Sequence, residues 1–138
     1  MKRLVCVLAM LTFSVTVEAQ KRPLKPAERY KFHVAKATVF HSQGKYMVAI
    51  RHLKKALRIR RTAAVYCDLG VARLKLGLLE LRKKSRPKAR QSLVLARKHF
   101  EACGKAAQPT KKGPGSSKLV RKAKAGVRDV TWLSRAVE

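Results

Sequence analysis

The side chains able to do chemistry are few, and their spacing says what that chemistry could be. Two cysteines lie well inside the chain, Cys67 and Cys103, and His99 precedes Cys103 by four residues. On a helix that spacing puts an imidazole and a thiol on one face, where they could share a metal ion, with Cys67 as a third ligand. Structural zinc takes four closed ligands and nothing supplies the fourth, so core packing is the better reading of this pair. The carboxylates of Glu28, Asp68, Glu80, Glu101, Asp129 and Glu138 form no paired acid-base motif. The sequence has no phosphate-cradling glycine loop, no nucleophile elbow, and no Ser, Cys and His spacing that suggests a triad. These residues predict a protein that is not an enzyme and uses no cofactor or metal.

What the chain has in abundance is charge. Lys and Arg number 34 against 7 Asp and Glu, a formal charge of +27 over 138 residues. Such an excess opposes compaction and draws the chain toward polyanions: nucleic acid, anionic lipid headgroups or acidic proteins. The 46% apolar content is still enough for a packed interior, and the length allows one small domain. The cations are spread along the chain, so no single stripe marks a footprint. Few aromatics are present to stack on bases and no reader motif occurs, which sets nucleic acid behind protein as the expected partner.

Residues 1–19 have the pattern of a signal peptide. Lys2 and Arg3 precede a mostly apolar stretch from Leu4 to Val17, and Val17-Glu18-Ala19 gives a small-x-small end. As a helix that stretch rises about 21 Å, short of the roughly 30 Å of a bilayer core. Cleavage before Gln20 would remove two cations and one anion and leave +26, so the charge belongs to the mature chain. It would also place Cys67 and Cys103 in an oxidising compartment, periplasmic or extracellular. An even pair there invites a disulfide closing a 36-residue span, with free buried thiols as the alternative.

The remaining sequence is periodic. After an extended lead-in over 20–26, a helix is expected over 27–42, a turn at Gly44, and a second helix over 45–60 with Ala49, Leu53, Ala56 and Leu57 on one face. Residues 63–76 repeat the helical pattern and are expected to end at a turn on Gly77. From Pro87 to Cys103, Ala89, Leu93, Ala96, Phe100 and Cys103 make a continuous apolar stripe. Residues 104–117 are a linker by composition, and 118–138 read as an amphipathic helix with Leu119, Val120, Ala123, Val127, Val130, Leu133 and Val137 on one side. No strand pattern is present, and the fold class expected is all-α.

The run Gly44-Lys45-Tyr46-Met47-Val48-Ala49-Ile50-Arg51-His52-Leu53-Lys54-Lys55-Ala56-Leu57 resembles the second half of a tetratricopeptide repeat (TPR). Ala37 and Phe40 stand at the family's small and aromatic positions in the preceding helix. Tyr66-Cys67-Asp68-Leu69-Gly70-Val71-Ala72 resembles the opening of a second repeat, and Ala96 to Cys103 its close. The resemblance implies antiparallel helix pairs over 27–103, stacked as a short solenoid whose open end is closed by the C-terminal helix or by a partner; Trp132 and Leu133 would anchor that helix, the alternative being a plain surface amphipathic helix. It also implies a partner groove on the first helix of each pair: Lys31, Val34, Thr38 and His41, then Ala64, Cys67, Val71, Leu74 and Lys75. In that register Cys67 faces the groove while Cys103 faces the next helix.

Measured against the family, the second repeat is 14 residues too long, an excess falling around 78–91. Two extra turns on each helix would make a protruding hairpin with Ser85-Arg86-Pro87 at its tip, crowded with Arg82, Lys83, Lys84, Arg86, Lys88 and Arg90. The alternative is a basic loop from Leu78 to Arg86. The protein expected is an exported adaptor that binds another protein through the groove, the hairpin or the last helix, with attachment to an anionic surface or lipid headgroups as a compatible role.

Overall fold

The computed structural model describes residues 23–108 and 114–137. The expected signal peptide, the start of the lead-in and the centre of the linker lie outside the described residues. Within them the fold is all-α, with five helices and no strand: α1 Pro26–Ser42, α2 Tyr46–Ile59, α3 Ala63–Arg82, α4 Arg86–Ala107 and α5 Pro114–Arg135. None of these helices is long and apolar enough to cross a membrane.

Local sequence sets the boundaries. Pro26 opens α1, where its missing N–H costs nothing, and the Lys25 backbone N–H donates to Glu28 at 3.0 Å. Thr62 caps α3 by accepting from the Val65 N–H at 3.4 Å, and its hydroxyl also meets the Tyr30 hydroxyl at 3.0 Å, tying the start of α3 to α1. The turn after α1 closes at Gly44, which has φ 72°. Its N–H donates to the His41 carbonyl, and the Lys45 N–H donates to that of Phe40. The turn after α3 repeats this bonding at Lys84, φ 58°, with Lys84 donating to Leu81 and Ser85 to Glu80. A left-handed backbone suits glycine and strains lysine, so one geometry is met by an easy residue in one pair and a costly one in the other.

Two expectations need correction here. Gly77 ends nothing: α3 runs through it to Arg82, because a β-carbon at Gly77 would stand 3.0 Å from the Leu93 side chain, and glycine lets α4 approach closely at mid-helix. The residues between α3 and α4 are Lys83-Lys84-Ser85, while Arg86 and Pro87 already form the first turn of α4. The linker is also shorter than its composition suggests, since 104–107 finish α4 and 114–117 begin α5.

The second pair reaches further than the first. Tyr30 meets Thr62 and Thr38 shares a cavity wall with Val71, so residues roughly 32 apart lie side by side on α1 and α3. Ser42 is then level with Leu74 or Lys75, and α3 continues about two turns, or 10 Å, beyond it. This extension is not bare. Leu81 packs in one cluster with Leu93, Val130, Leu133 and Val137, so the end of α5 lies along it.

Two cores hold the stack. Ala37, Ile50, Leu53 and Ala56 meet Val65, Leu69, Ala72 and Leu76 between the two pairs. Leu93, Ala96, Phe100 and Val130 join α4 to α5, with Val71 and Leu74 of α3. Phe100 is fully enclosed because both facing helices carry glycine opposite its ring: β-carbons at Gly70 and Gly126 would lie 2.8 and 2.5 Å from it. Three helices thus close on one ring.

Candidate functional site

The side chains on α1, α3 and α5 that face one another form a concave surface. It includes a cavity of about 220 Å³ lined by Ala37, Thr38 and His41 of α1, Leu53 of α2, Asp68 and Val71 of α3, and Lys122 of α5. The floor is apolar, since Ala37 and Leu53 belong to the first core. The rim is polar. Lys122 Nζ bonds Asp68 Oδ1 at 3.2 Å across α3 and α5, and Thr38 donates back to the Val34 carbonyl at 3.2 Å. His41 Nε2 is buried and has no partner among the described residues. A buried polar atom without a partner costs stability, and any occupant offering one would recover it.

Of the groove residues implied by the resemblance, Thr38, His41 and Val71 line this cavity. Leu74 lines a neighbouring depression with Leu78, Trp132 and Leu133. Lys31, Ala64 and Lys75 are exposed, whereas Val34 packs against the first core. Cys67 is the clear correction. It is fully buried, bonded to Cys103 with 5.1 Å between the α-carbons, and covered by Leu119 and Ala123 of α5. The expected register turned it toward the groove, but α3 presents Asp68 there instead. With Cys103 in a disulfide, the pair His99 and Cys103 has no thiolate to offer a metal, and no group of three or more metal-binding side chains occurs among the described residues.

Ala37 and Leu53, expected only as core, form the floor, and Asp68 and Lys122 are the polar lining residues that sequence reasoning missed. Asp68 is one of only 7 acidic residues against 34 basic ones, and its place beside Cys67 on a helix otherwise rich in apolar residues was the available signal. Lys122 carried none, because α5 enters the groove only through its packing on α4. Trp132 is a further correction. Leu133 packs inward, but Trp132 is 70% exposed and lies outside the buried cluster, at the edge of the depression with Leu74 and Leu78.

The cations of the hairpin turn, Arg82, Lys83, Lys84, Arg86, Lys88 and Arg90, are all exposed. A second electrostatic feature joins α1 to α2, where His33 and His52 bring their Nδ1 atoms within 3.2 Å and Phe40 stacks on His52. Such a contact needs one ring to donate and the other to accept, so at least one must be neutral. The surroundings favour that: burial lowers the pKa of both rings, helped at His33 by Lys55 and Arg29 and at His52 by His33, Lys55 and Lys36. His99 is lowered in the same way, first by burial and then by Arg73 and Lys54.

No family model, curated protein or solved structure matches this chain. The groove must therefore be read from its own residues.

Proposed function

We propose that this protein is an exported, non-catalytic adaptor of TPR type that binds a protein partner in the groove between α1, α3 and α5. The observation carrying this reading is the cavity itself: an apolar floor, a rim ion pair, and the His41 Nε2 that has no partner among the described residues. Pockets built for a binding partner combine these parts, an apolar bed with a few polar groups that fix orientation. Two successive antiparallel helix pairs, with the small residues Ala37 and Ala49 fully buried in the first, support the TPR reading. The signal-like sequence of 1–19 and a disulfide with both cysteines buried support export to the periplasm or beyond, since such bonds persist where the environment is oxidising. Asp68 is tied to Lys122, and among the described residues no second carboxylate lines the cavity, which supports reading the groove as a contact surface.

The test has two parts, carried out in the native host. N-terminal sequencing of the fractionated protein is expected to find a chain beginning near Gln20 outside the cytosol. A photo-crosslinking residue at Thr38 is expected to trap a defined partner, and one at the exposed Arg51 on α2 is expected to trap none. Equal adducts from both positions would remove the groove from the account. A cytosolic chain that retains Met1 would favour the charge-driven alternative, salt-dependent binding of nucleic acid.

A further inference from the structure

The outward face of α5 lies opposite the side that packs into the core, and at one edge its Arg128 and Trp132 border the depression that holds Leu74 and Leu78 of α3. At 100° per residue, Arg121, Lys124, Arg128, Trp132 and Arg135 fall on one stripe, opposite the inward Ala123 and Val130. All five stripe residues are exposed. Trp132 lies toward the C-terminal end of that stripe and is the most exposed large apolar side chain described, at 70%. Its only acidic neighbour on the face, Asp129, stands 3.9 Å from Arg128 at the stripe's edge. From Arg121 to Arg135 the stripe runs about 21 Å. Just past its far end, Val137 belongs to the same apolar cluster as Leu81, near the end of α3.

A helix that only closes a stack would carry a polar outer face and gain nothing from a bare indole among its cations. The arrangement needs a partner that takes both parts. We propose that this face docks on an anionic phospholipid bilayer, with the cations on the headgroup phosphates and Trp132 at the headgroup level. Indole rings settle at that depth because one end is apolar and the N–H is polar, and polybasic surfaces are held to anionic leaflets by Coulomb attraction. Single-stranded nucleic acid would take the cations, but sequence-tolerant binders line up several aromatics to stack successive bases. Trp132 stands alone on this face. The inference does not depend on what occupies the groove.

Trp132 is the chain's one tryptophan, so its fluorescence reads this face alone. Protein purified from its own host is mixed with vesicles of phosphatidylcholine, or of phosphatidylcholine with about one third phosphatidylglycerol. The expected result is a blue shift and protection from iodide quenching with the anionic vesicles only, reversed by high salt. The combined variant Arg121→Gln, Lys124→Gln, Arg128→Gln changes only exposed side chains and is expected to keep its helical circular dichroism. It should sediment with anionic vesicles about a hundredfold more weakly, at roughly fivefold per cation. Trp132→Ala should still sediment, less tightly and with a steeper salt dependence. Three outcomes would overturn the proposal. The emission could stay unshifted with anionic vesicles. The Gln variant could bind as tightly as the parent, which would place the contact elsewhere, for instance at the cationic turn around Lys84. Or the emission could respond to RNA and not to vesicles, which would make this a nucleic-acid face.

Discussion

The two helix pairs solve the same packing problem with different means. The first, α1 with α2, is held by side-chain contact alone: a small apolar core, a glycine turn, and two histidines sharing one hydrogen bond. The second, α3 with α4, has a disulfide across it, a phenylalanine ring clamped between glycines, a third helix along its length, and a turn that forces Lys84 into a left-handed conformation. The first pair's inner side is covered by α3. The second pair extends past that cover and has only α5 beyond it. Short stacks bury too little surface to be stable alone, and the added fixings sit where the stack runs out of neighbours.

The largest break in this comparison should come from the disulfide. Replacing Cys67 and Cys103 together by Ser is expected to cost about 3–4 kcal/mol, the loop entropy of a 36-residue span. The loss should show as a lower denaturant midpoint, and the same shift should appear when reductant is added to the parent under unfolding conditions. If reductant leaves the parent's midpoint unchanged, the second pair does not rely on the bond.

The glycine clamp should come next. Gly126→Ala sets a β-carbon 2.5 Å from the Phe100 ring and is expected to destabilise by about 1–3 kcal/mol, although alanine favours a helix by up to about 1 kcal/mol in open surroundings. Phe100→Leu in the Gly126→Ala background should recover part of the loss, since the smaller side chain vacates the contested space. Thermal unfolding of the two single variants and the double variant measures the coupling. Gly104, whose added β-carbon would meet only the Ala123 methyl at 3.6 Å, is the matched control and should tolerate alanine.

The turns sharpen the comparison at smaller scale. Lys84→Gly should stabilise by about 1 kcal/mol by relieving a left-handed lysine, whereas Gly44→Lys should destabilise by a similar amount. Chemical denaturation of both variants checks whether the two turns are equivalent in energy as well as in bonding.

These contrasts also explain how much the sequence disclosed. The helices were legible because their apolar stripes repeat at helical spacing, as Ala89, Leu93, Ala96, Phe100 and Cys103 do along α4. Glycine was the unreliable sign. Gly44 marks a turn and Gly77 does not, yet both follow an apolar helical run, and only the presence of Leu93 opposite Gly77 tells them apart. The turn that does exist carries Lys84, a residue that propensity would not choose. Gly126 gave no hint of its role, because the ring it accommodates lies on another helix. At the groove, Thr38, His41 and Val71 followed from register, while Asp68 and Lys122 meet only through the docking of α5. Cys67 went to the core for the same reason: which side of α3 is inside depends on α5 as well as α4.

The smallest expected effect belongs to the first pair and turns on pH. His33 and His52 have pKa values below their ordinary 6.5 in the folded chain, first through burial and then through the cations around them, Lys55 and Arg29 at His33 and Lys55 and Lys36 at His52. Groups that bind protons less readily when folded stabilise the fold above the unfolded value and lose that contribution as pH falls below it. Stability should therefore decline as pH drops from about 6.5 toward 5, a window above the range where ordinary carboxylates titrate. Protonation of both rings would leave two donors facing one another at 3.2 Å, with no acceptor between them. His99 adds to the slope from the second pair, so the global measurement mixes the two. Hydrogen exchange of the α1 amides separates them. In the parent they should exchange faster at pH 5.5 than the intrinsic pH dependence predicts, and with His33→Gln that excess should vanish, while the slope owed to His99 persists in α4. An α1 exchange profile that follows only the intrinsic dependence would mean that the histidine contact contributes nothing to holding the first pair together. Its cohesion would then rest on Ala37, Ile50, Leu53 and Ala56 alone.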